Sequence, residues 1–143
     1  MRYVFRDLPL EAIHPHAFKA AEAANCAGEQ GKFWEMYEHL FRNQRALAPP
    51  SLAQYAQALA LDAPKFTACF DSGKYAAEIR KDMADAGAAN IEGTPNFVIG
   101  LANPKNPRDP RIKVLRIITG AHPYQTFKAV LDAALAIAAA EQK

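Results

Sequence analysis

The feature that most constrains the fold of this sequence is a Thr-Pro pair directly in front of a short apolar run. Thr94 and Pro95 follow Gly93, and the residues from Phe97 to Ile99 are typical of a β-strand. Because proline has no N–H, a proline at the start of a strand requires an edge, a bulge or a dedicated turn. The residues alone leave two alternatives for the Thr94-Pro95 bond, a trans bond that caps an ordinary strand and a cis bond that forms a special turn.

The segment before this pair predicts one strand followed by several helices. Tyr3 to Arg6 is short, rich in aromatic and β-branched residues and soon followed by Pro9, which favours a strand. From about residue 15 to 88 the sequence is alanine-rich and helical, with glycine and proline interruptions that divide it into several helices. Ser51 is positioned to be a helix N-cap in front of Leu52.

The segment after Pro95 predicts a hairpin and a closing helix. The run from Phe97 to Ile99 and the run from Ile112 to Thr119 should pair in antiparallel fashion. Mixed charge and prolines indicate a solvated loop between them rather than a nucleic-acid contact; its residues include Pro104, Lys105, Pro107, Arg108, Pro110 and Arg111. Tyr124 to Ala140 should form a helix with one apolar side.

Composition limits the classes of function that the chain can serve. The 143 residues are 50% apolar, which fits one domain with a sizeable core, so we predict a single domain over residues 1–143. The net charge of +2, from 17 basic and 15 acidic residues, provides no electrostatic case for a nucleic-acid or membrane-surface partner. No apolar stretch reaches the length of a membrane span, and we predict none.

Several blocks in order carry a family resemblance. They are Arg2–Leu10, Ala24–Met36, Cys69–Tyr75, Gly93–Phe97 and Gly120–Tyr124. Together they resemble the DsbA-like thiol-disulfide oxidoreductases of the thioredoxin superfamily over essentially all 143 residues. The resemblance implies an α/β, thioredoxin-like fold with a large helical insertion at about 15–88. It also implies a cis bond between Thr94 and Pro95, with both residues binding an extended substrate peptide.

The chain departs from that family at its reactive centre. Members of the family carry a Cys-x-x-Cys at the start of a helix that follows the first core strand, and this sequence contains no Cys-x-x-Cys. The resemblance begins partway into the fold, so we predict an incomplete sheet that lacks its first core strand. Unpaired backbone groups in the resulting slot cost roughly 1–3 kcal/mol each, which predicts a homodimer, strand exchange or a rearranged sheet.

Cys26 and Cys69 are the two thiols of the chain, and their separation of 43 positions excludes the one-turn spacing of a redox dithiol. The alternatives are a long-range disulfide and two free buried thiols. Some DsbA-like proteins have a structural disulfide within the helical insertion, and the resemblance places Cys26 and Cys69 in the matching blocks. We therefore favour a structural disulfide and assign no catalytic role to either residue.

The four histidines do not form a recognisable catalytic or metal-binding pattern. His14 and His16 flank Pro15, but no matching carboxylate or cysteine cluster accompanies them. His39 and His122 have no identifiable serine or cysteine partner. We predict no metal and no cofactor.

Two functions remain open at this point. The first is the C-terminal portion of a protein-disulfide oxidoreductase or isomerase that acts on unfolded or cysteine-containing proteins, with the redox dithiol outside this chain. The alternative is a redox-inactive peptide-binding or chaperone-like module, so enzymatic activity of the chain itself stays undecided. The resemblance implies a periplasmic location, whereas the chain would be cytoplasmic if Met1 is the true start, because it shows no signal peptide.

Overall fold

The computed structural model describes residues 1–103, 106 and 111–141, and these form two compact units. The first unit, Met1–Glu92, contains five helices: α1 (Ala17–Gly28), α2 (Phe33–Arg42), α3 (Pro49–Ala58), α4 (Ala63–Asp71) and α5 (Ala76–Ala88). The second unit begins at Gly93 and contains β1 (Asn96–Ala102), β2 (Ile112–Thr119) and α6 (Tyr124–Glu141). Within the described residues the protein thus combines helices with a small antiparallel sheet. The prediction of one domain stays a prediction.

Helix α1 is the centre of the helical unit. It packs against α2, α3, α4 and α5, and its inward face consists mostly of alanine. Small side chains allow neighbouring helices to approach closely, and the larger core residues come from those neighbours. These larger residues are Met36, Leu40, Leu52, Phe66 and Phe70. The alanine-rich region of the sequence therefore forms the core helix and its immediate neighbours.

Proline and aspartate determine where two of the helices begin. Helix α4 follows Asp62, whose side chain accepts a hydrogen bond of 3.1 Å from the Lys65 backbone N–H. The predicted N-cap at Ser51 is wrong, because α3 begins two residues earlier, at Pro49. Proline fits the first turn of a helix, where its missing N–H would have had no helical partner. The Pro49-Pro50 pair thus begins this helix instead of preceding it.

The segment before α1 forms no strand, so the predicted strand from Tyr3 to Arg6 is wrong. A strand needs a neighbouring backbone to pair with, and among the described residues no strand pairs with this segment. Side chains hold the segment instead. Phe5 contacts the rings of Phe33, Trp34 and Tyr37 on α2, with centroid distances of 5.9, 6.4 and 5.1 Å.

Polar contacts attach the same N-terminal segment to α5 and α1. Arg6 forms ion pairs with Asp82, at 2.6 Å, and with Asp85. The backbone N–H of Asp7 donates to the Asp82 carboxylate at 3.0 Å, and the Asp7 side chain accepts a 3.0 Å hydrogen bond from Asn25. Burial, with the nearby carboxylates of Asp82 and Glu78, raises the pKa of Asp7.

In the second unit, β1 and β2 pair as the predicted antiparallel hairpin, which is confirmed. Phe97 lies opposite Ile118, and a bulge interrupts the register between Ile99 and Gly100. Helix α6 packs on β1, where the Phe97 and Phe127 rings meet edge to face at 4.7 Å. The strand-to-strand connection predicted to be a solvated loop lies largely outside the described residues, at 104, 105 and 107–110.

Among residues 1–103, 106 and 111–141, none of the helices combines the length and the apolar character that crossing a membrane requires.

Replacement of Asp7 by asparagine tests the cause of its raised pKa. A carboxyl group whose folded-state pKa is raised stabilises the fold below its unfolded-state pKa, and this contribution is lost as pH rises through the folded-state pKa. Asp7→Asn cannot ionise and keeps an oxygen for the Asn25 hydrogen bond. As pH rises above 3.8, the ordinary pKa of an aspartate, we expect the unfolding free energy of the variant to increase relative to that of wild type, measured by denaturant titration.

Asp132→Asn on α6 is the matched control, because it makes the same chemical change at an exposed carboxylate that does not contact Asp7, Asp82 or Asn25. A difference between Asp7→Asn and wild type that stays constant across the pH range would contradict burial as the cause.

Replacement of Gly100 by alanine tests the close approach of the two strands at the bulge. A Cβ at Gly100 would lie 2.6 Å from the Lys113 carbonyl oxygen, so the strands would have to separate. We expect a loss of about 1–3 kcal/mol, measured by amide hydrogen exchange of β1 and β2. Gly93→Ala is the control, because a Cβ there meets nothing within 4 Å. Equal exchange in the two variants would contradict the close approach.

Candidate functional site

The turn from Gly93 to Asn96 leads into β1, and two hydrogen bonds hold it in place. The Thr94-Pro95 peptide bond is cis. The Pro95 carbonyl accepts a 2.8 Å hydrogen bond from the Gly120 N–H, and the Asn96 side-chain amide donates to the Gly93 carbonyl at 2.7 Å. Gly120 has a φ of +89°, which glycine adopts without strain, and it follows β2 directly. The hairpin thereby fixes the position of the turn.

Thr94 and Pro95 are both exposed. Among the described residues, neither the backbone N–H nor the carbonyl of Thr94 takes part in a hydrogen bond. Backbone donors and acceptors that lack a protein partner are available to water or to another chain. Thr94 therefore presents one donor and one acceptor at the start of β1.

The sheet beyond this turn has open edges and an exposed apolar face. Within the described part of the chain β1 pairs only with β2, so its other edge has no strand partner. On the face that includes Val98, four large aliphatic side chains are 38–52% exposed: Val98, Ile112, Val114 and Ile117. An extended peptide can add to such an edge through main-chain hydrogen bonds, with side chains on alternate faces.

Cys26 and Cys69 are joined by a disulfide in the helical unit. Cys26 lies on α1 and Cys69 on α4, and their Cα atoms are 5.8 Å apart. Cys26 is 1% exposed and Cys69 is 6% exposed. The bond links the central helix to one of its neighbours through the core.

The histidines occupy separate places. His14 and His16 are exposed in the turn before α1, and the ring of His39 lies 5.7 Å from the ring of Tyr55. His122 Nε2 lies 3.0 Å from the Thr119 carbonyl oxygen. The residues that the structure describes contain no group of three or more His, Cys, Asp or Glu side chains arranged to hold a metal ion.

Sequence reasoning missed an aromatic cluster on the surface of the helical unit, formed by Tyr3, Phe5, Phe33, Trp34, Tyr37 and Phe41. Three of its rings remain about half exposed or more: Tyr3, Trp34 and Phe41. Phe33, Tyr37 and Phe41 recur at helical spacing along α2, and such a pattern by itself predicts a core-facing stripe. The aromatic residues at positions 3 and 5 were the available signal for the other half of the cluster.

Comparison with known proteins identifies the family. The sequence model of the family described as Thioredoxin matches residues 1–133. The chain belongs to the thioredoxin superfamily. The DsbA-like thioredoxin resemblance of the sequence blocks is confirmed. The details of a missing first strand and of a helical insertion at about 15–88 stay predictions, although residues 17–88 are indeed largely helical.

Relatives of this thioredoxin-like chain are much longer proteins. It is 42% identical over 99 residues to the Na(+)/H(+) antiporter NhaA 3 of Salinispora tropica, which covers 69% of the chain and 15% of that protein. It is 38% identical over 109 residues to the Na(+)/H(+) antiporter NhaA 1 of Mycolicibacterium vanbaalenii. This match covers 75% of the chain and 18% of that protein. It is also 38% identical over 99 residues to the Na(+)/H(+) antiporter NhaA of Herminiimonas arsenicoxydans. This match covers 69% of the chain and 16% of that protein.

The chain thus spans less than a fifth of the length of these curated relatives. No solved structure matches it significantly.

Removal of the disulfide tests its contribution to the helical unit. In the chain-entropy treatment, a bond between cysteines 43 positions apart stabilises the folded state by about 4 kcal/mol. We expect Cys26→Ala with Cys69→Ala to lower the unfolding free energy by about that amount, measured from amide exchange of α1 and α4. Fully reduced wild type should lose a similar amount. A loss below about 1 kcal/mol in both would contradict a structural role.

Proposed function

We propose that this chain supplies the substrate-docking part of a DsbA-like thiol-disulfide oxidoreductase or isomerase that acts on unfolded or cysteine-containing proteins. The observation that carries the proposal is Thr94, an exposed residue whose backbone N–H and carbonyl have no hydrogen-bond partner among the described residues. Membership of the thioredoxin superfamily supports it, as does the edge of β1, which begins two residues later and has no strand partner within residues 1–103, 106 and 111–141.

Docking uses the geometry of an edge strand. An extended peptide approaches Thr94, accepts a hydrogen bond from its N–H and donates one to its carbonyl. Pro95, the residue after Thr94, has no backbone N–H and therefore adds no second donor beside the bound peptide. The Gly120 N–H and the Asn96 amide already hold the turn, and little further ordering of the protein is needed on binding.

The redox dithiol of this function is proposed to lie on a segment outside the 143 residues. The chain contains two cysteines, and both belong to the Cys26–Cys69 disulfide. In the exchange step, a thiolate of the external dithiol attacks a substrate disulfide, forms a mixed disulfide and releases the other substrate sulfur. The second thiol of the pair then displaces the substrate and closes the dithiol to a disulfide, so two electrons pass to the substrate. The reverse sequence oxidises substrate thiols.

A redox-inactive binding module of a larger membrane protein is the second candidate. It is favoured by relatives that are named as sodium–proton antiporters and that are matched over only 15–18% of their length. In this case the chain binds a peptide segment without thiol exchange. The two candidates differ in one measurement, because only the first predicts insulin reduction by the natural protein at its full length.

We further propose an oxidising compartment such as the periplasm for this domain, since the Cys26–Cys69 disulfide would persist there.

A second copy is the proposed partner for the exposed aliphatic face of the hairpin. Sedimentation of the chain should then show a homodimer. A monomer at all concentrations would remove that part of the proposal.

Replacement of Thr94 by proline tests peptide docking. The variant removes the backbone N–H of residue 94, and loss of one hydrogen bond of about 1 kcal/mol weakens binding roughly fivefold. Thr94→Ala keeps the backbone and should bind within about twofold of wild type. The measurement is fluorescence anisotropy of a labelled, extended cysteine-free peptide, with circular dichroism as a check on folding.

The amides of Thr94 and Asn96 should also shift in NMR spectra of wild type when the peptide is added. Wild-type affinity in Thr94→Pro, or shifts confined to other regions, would contradict docking at this turn.

A further inference from the structure

An open pocket of about 360 Å³ lies beside the disulfide of the helical unit. Its lining includes Glu29 and Gln30 at the end of α1, Cys69 on α4, and Ser72 and Lys74 just beyond α4. Cys26 is not among the residues that line it, and at 1% exposure it lies within the alanine-rich core. The two sulfurs of one bond therefore face different surroundings.

This asymmetry determines which sulfur an external thiol can reach. A thiolate attacks a disulfide sulfur from the side opposite the sulfur that leaves, so it needs free space along that line. The pocket borders Cys69, whereas Cys26 lies in the core between α1 and its neighbours. Attack at Cys26 would require the core to open first.

An ion pair between Glu29 and Lys74 lies beside Cys69 Sγ and sets the local charge that an approaching thiolate meets. Glu29 Oε1 lies 3.8 Å from Cys69 Sγ and 2.5 Å from Lys74 Nζ. Hydrogen bonding by Lys74 and, to a smaller extent, by Tyr75 lowers the pKa of Glu29, so its carboxylate is ionised at neutral pH. The carboxylate repels an approaching thiolate, and the Lys74 ammonium offsets that repulsion.

We propose that the Cys26–Cys69 bond is a thiol-exchange site that small thiols and dithiols attack through this pocket at Cys69 alone. The thiolate forms a bond to Cys69 Sγ, the Cys26–Cys69 bond breaks, and its electron pair goes to Cys26 Sγ, which takes a proton from water. A second thiolate then attacks the outer sulfur of the mixed disulfide and releases the Cys69 thiolate. The two external sulfurs leave joined as a disulfide, within one dithiol or between two monothiol molecules, and both cysteines of the protein are reduced.

The consequence is a redox response within the helical core. Reduction removes the covalent link between α1 and α4 and leaves their packing to the apolar contacts of the core. The site belongs to the first unit, and the inference does not depend on the function proposed for the Thr94 turn of the second unit.

The test begins with native wild-type protein and a limiting amount of glutathione, followed by rapid alkylation with iodoacetamide and peptide mapping by mass spectrometry. The expected product carries glutathione on Cys69 and the alkyl group on Cys26. Glutathione on Cys26, or an equal distribution over both cysteines, would overturn the proposal. Reduction that is undetectable until urea unfolds the chain would overturn it as well.

Three matched variants test the role of the ion pair with dithiothreitol as the reductant. Glu29→Gln should raise the second-order rate constant roughly fivefold, and Lys74→Ala should lower it by a similar factor, because each changes one unit charge near the attacked sulfur. Lys128→Ala on α6 removes an equivalent exposed lysine outside this pocket and should leave the rate unchanged. Both effects should shrink in high salt. Equal rates in Glu29→Gln, Lys74→Ala and wild type would contradict the mechanism.

Discussion

Close packing around the alanine face of α1 is the interaction on which the helical unit depends. Alanine side chains let α2, α3, α4 and α5 approach the central helix, while residues such as Met36, Leu52 and Phe66 fill the remaining space. The Cys26–Cys69 bond adds a covalent link at the same place. Since the core side of α1 has little volume to spare, larger side chains there would force its neighbours apart.

The second unit depends on a different constraint, which is the pairing of one short hairpin. The Gly120 N–H at the end of β2 holds the Pro95 carbonyl, so the hairpin that forms the sheet also fixes the turn at its entrance. Thr94 is an exposed residue of this turn, and its backbone groups are unpaired within the described residues. In the proposed function, a chain with no Cys-x-x-Cys would offer these main-chain groups for peptide binding, and the dithiol would come from elsewhere.

The two cysteines of the disulfide lie in different surroundings. The residues around Cys26 are apolar and closely packed, whereas Cys69 borders a pocket with Glu29 and Lys74. Burial of one sulfur preserves the link between α1 and α4, and access to the other gives thiols one direction of approach. Such an asymmetry depends on the packing of helices that are distant in sequence, so cysteine spacing alone does not reveal it.

Features that rest on local hydrogen bonding and local pattern can be predicted from the amino-acid sequence alone. They are the helices between 17 and 88, the hairpin from the two apolar runs, and the ordered blocks that resemble the thioredoxin superfamily. The absence of a strand from Tyr3 to Arg6 depends on tertiary contacts, since a strand exists only where another backbone pairs with it. Tertiary contacts also decide that Phe5 joins the rings of α2 and that Asp7 is partly buried beside Asp82. These contacts join residues up to 79 positions apart, as between Arg6 and Asp85, and no local pattern encodes which distant side chains will meet.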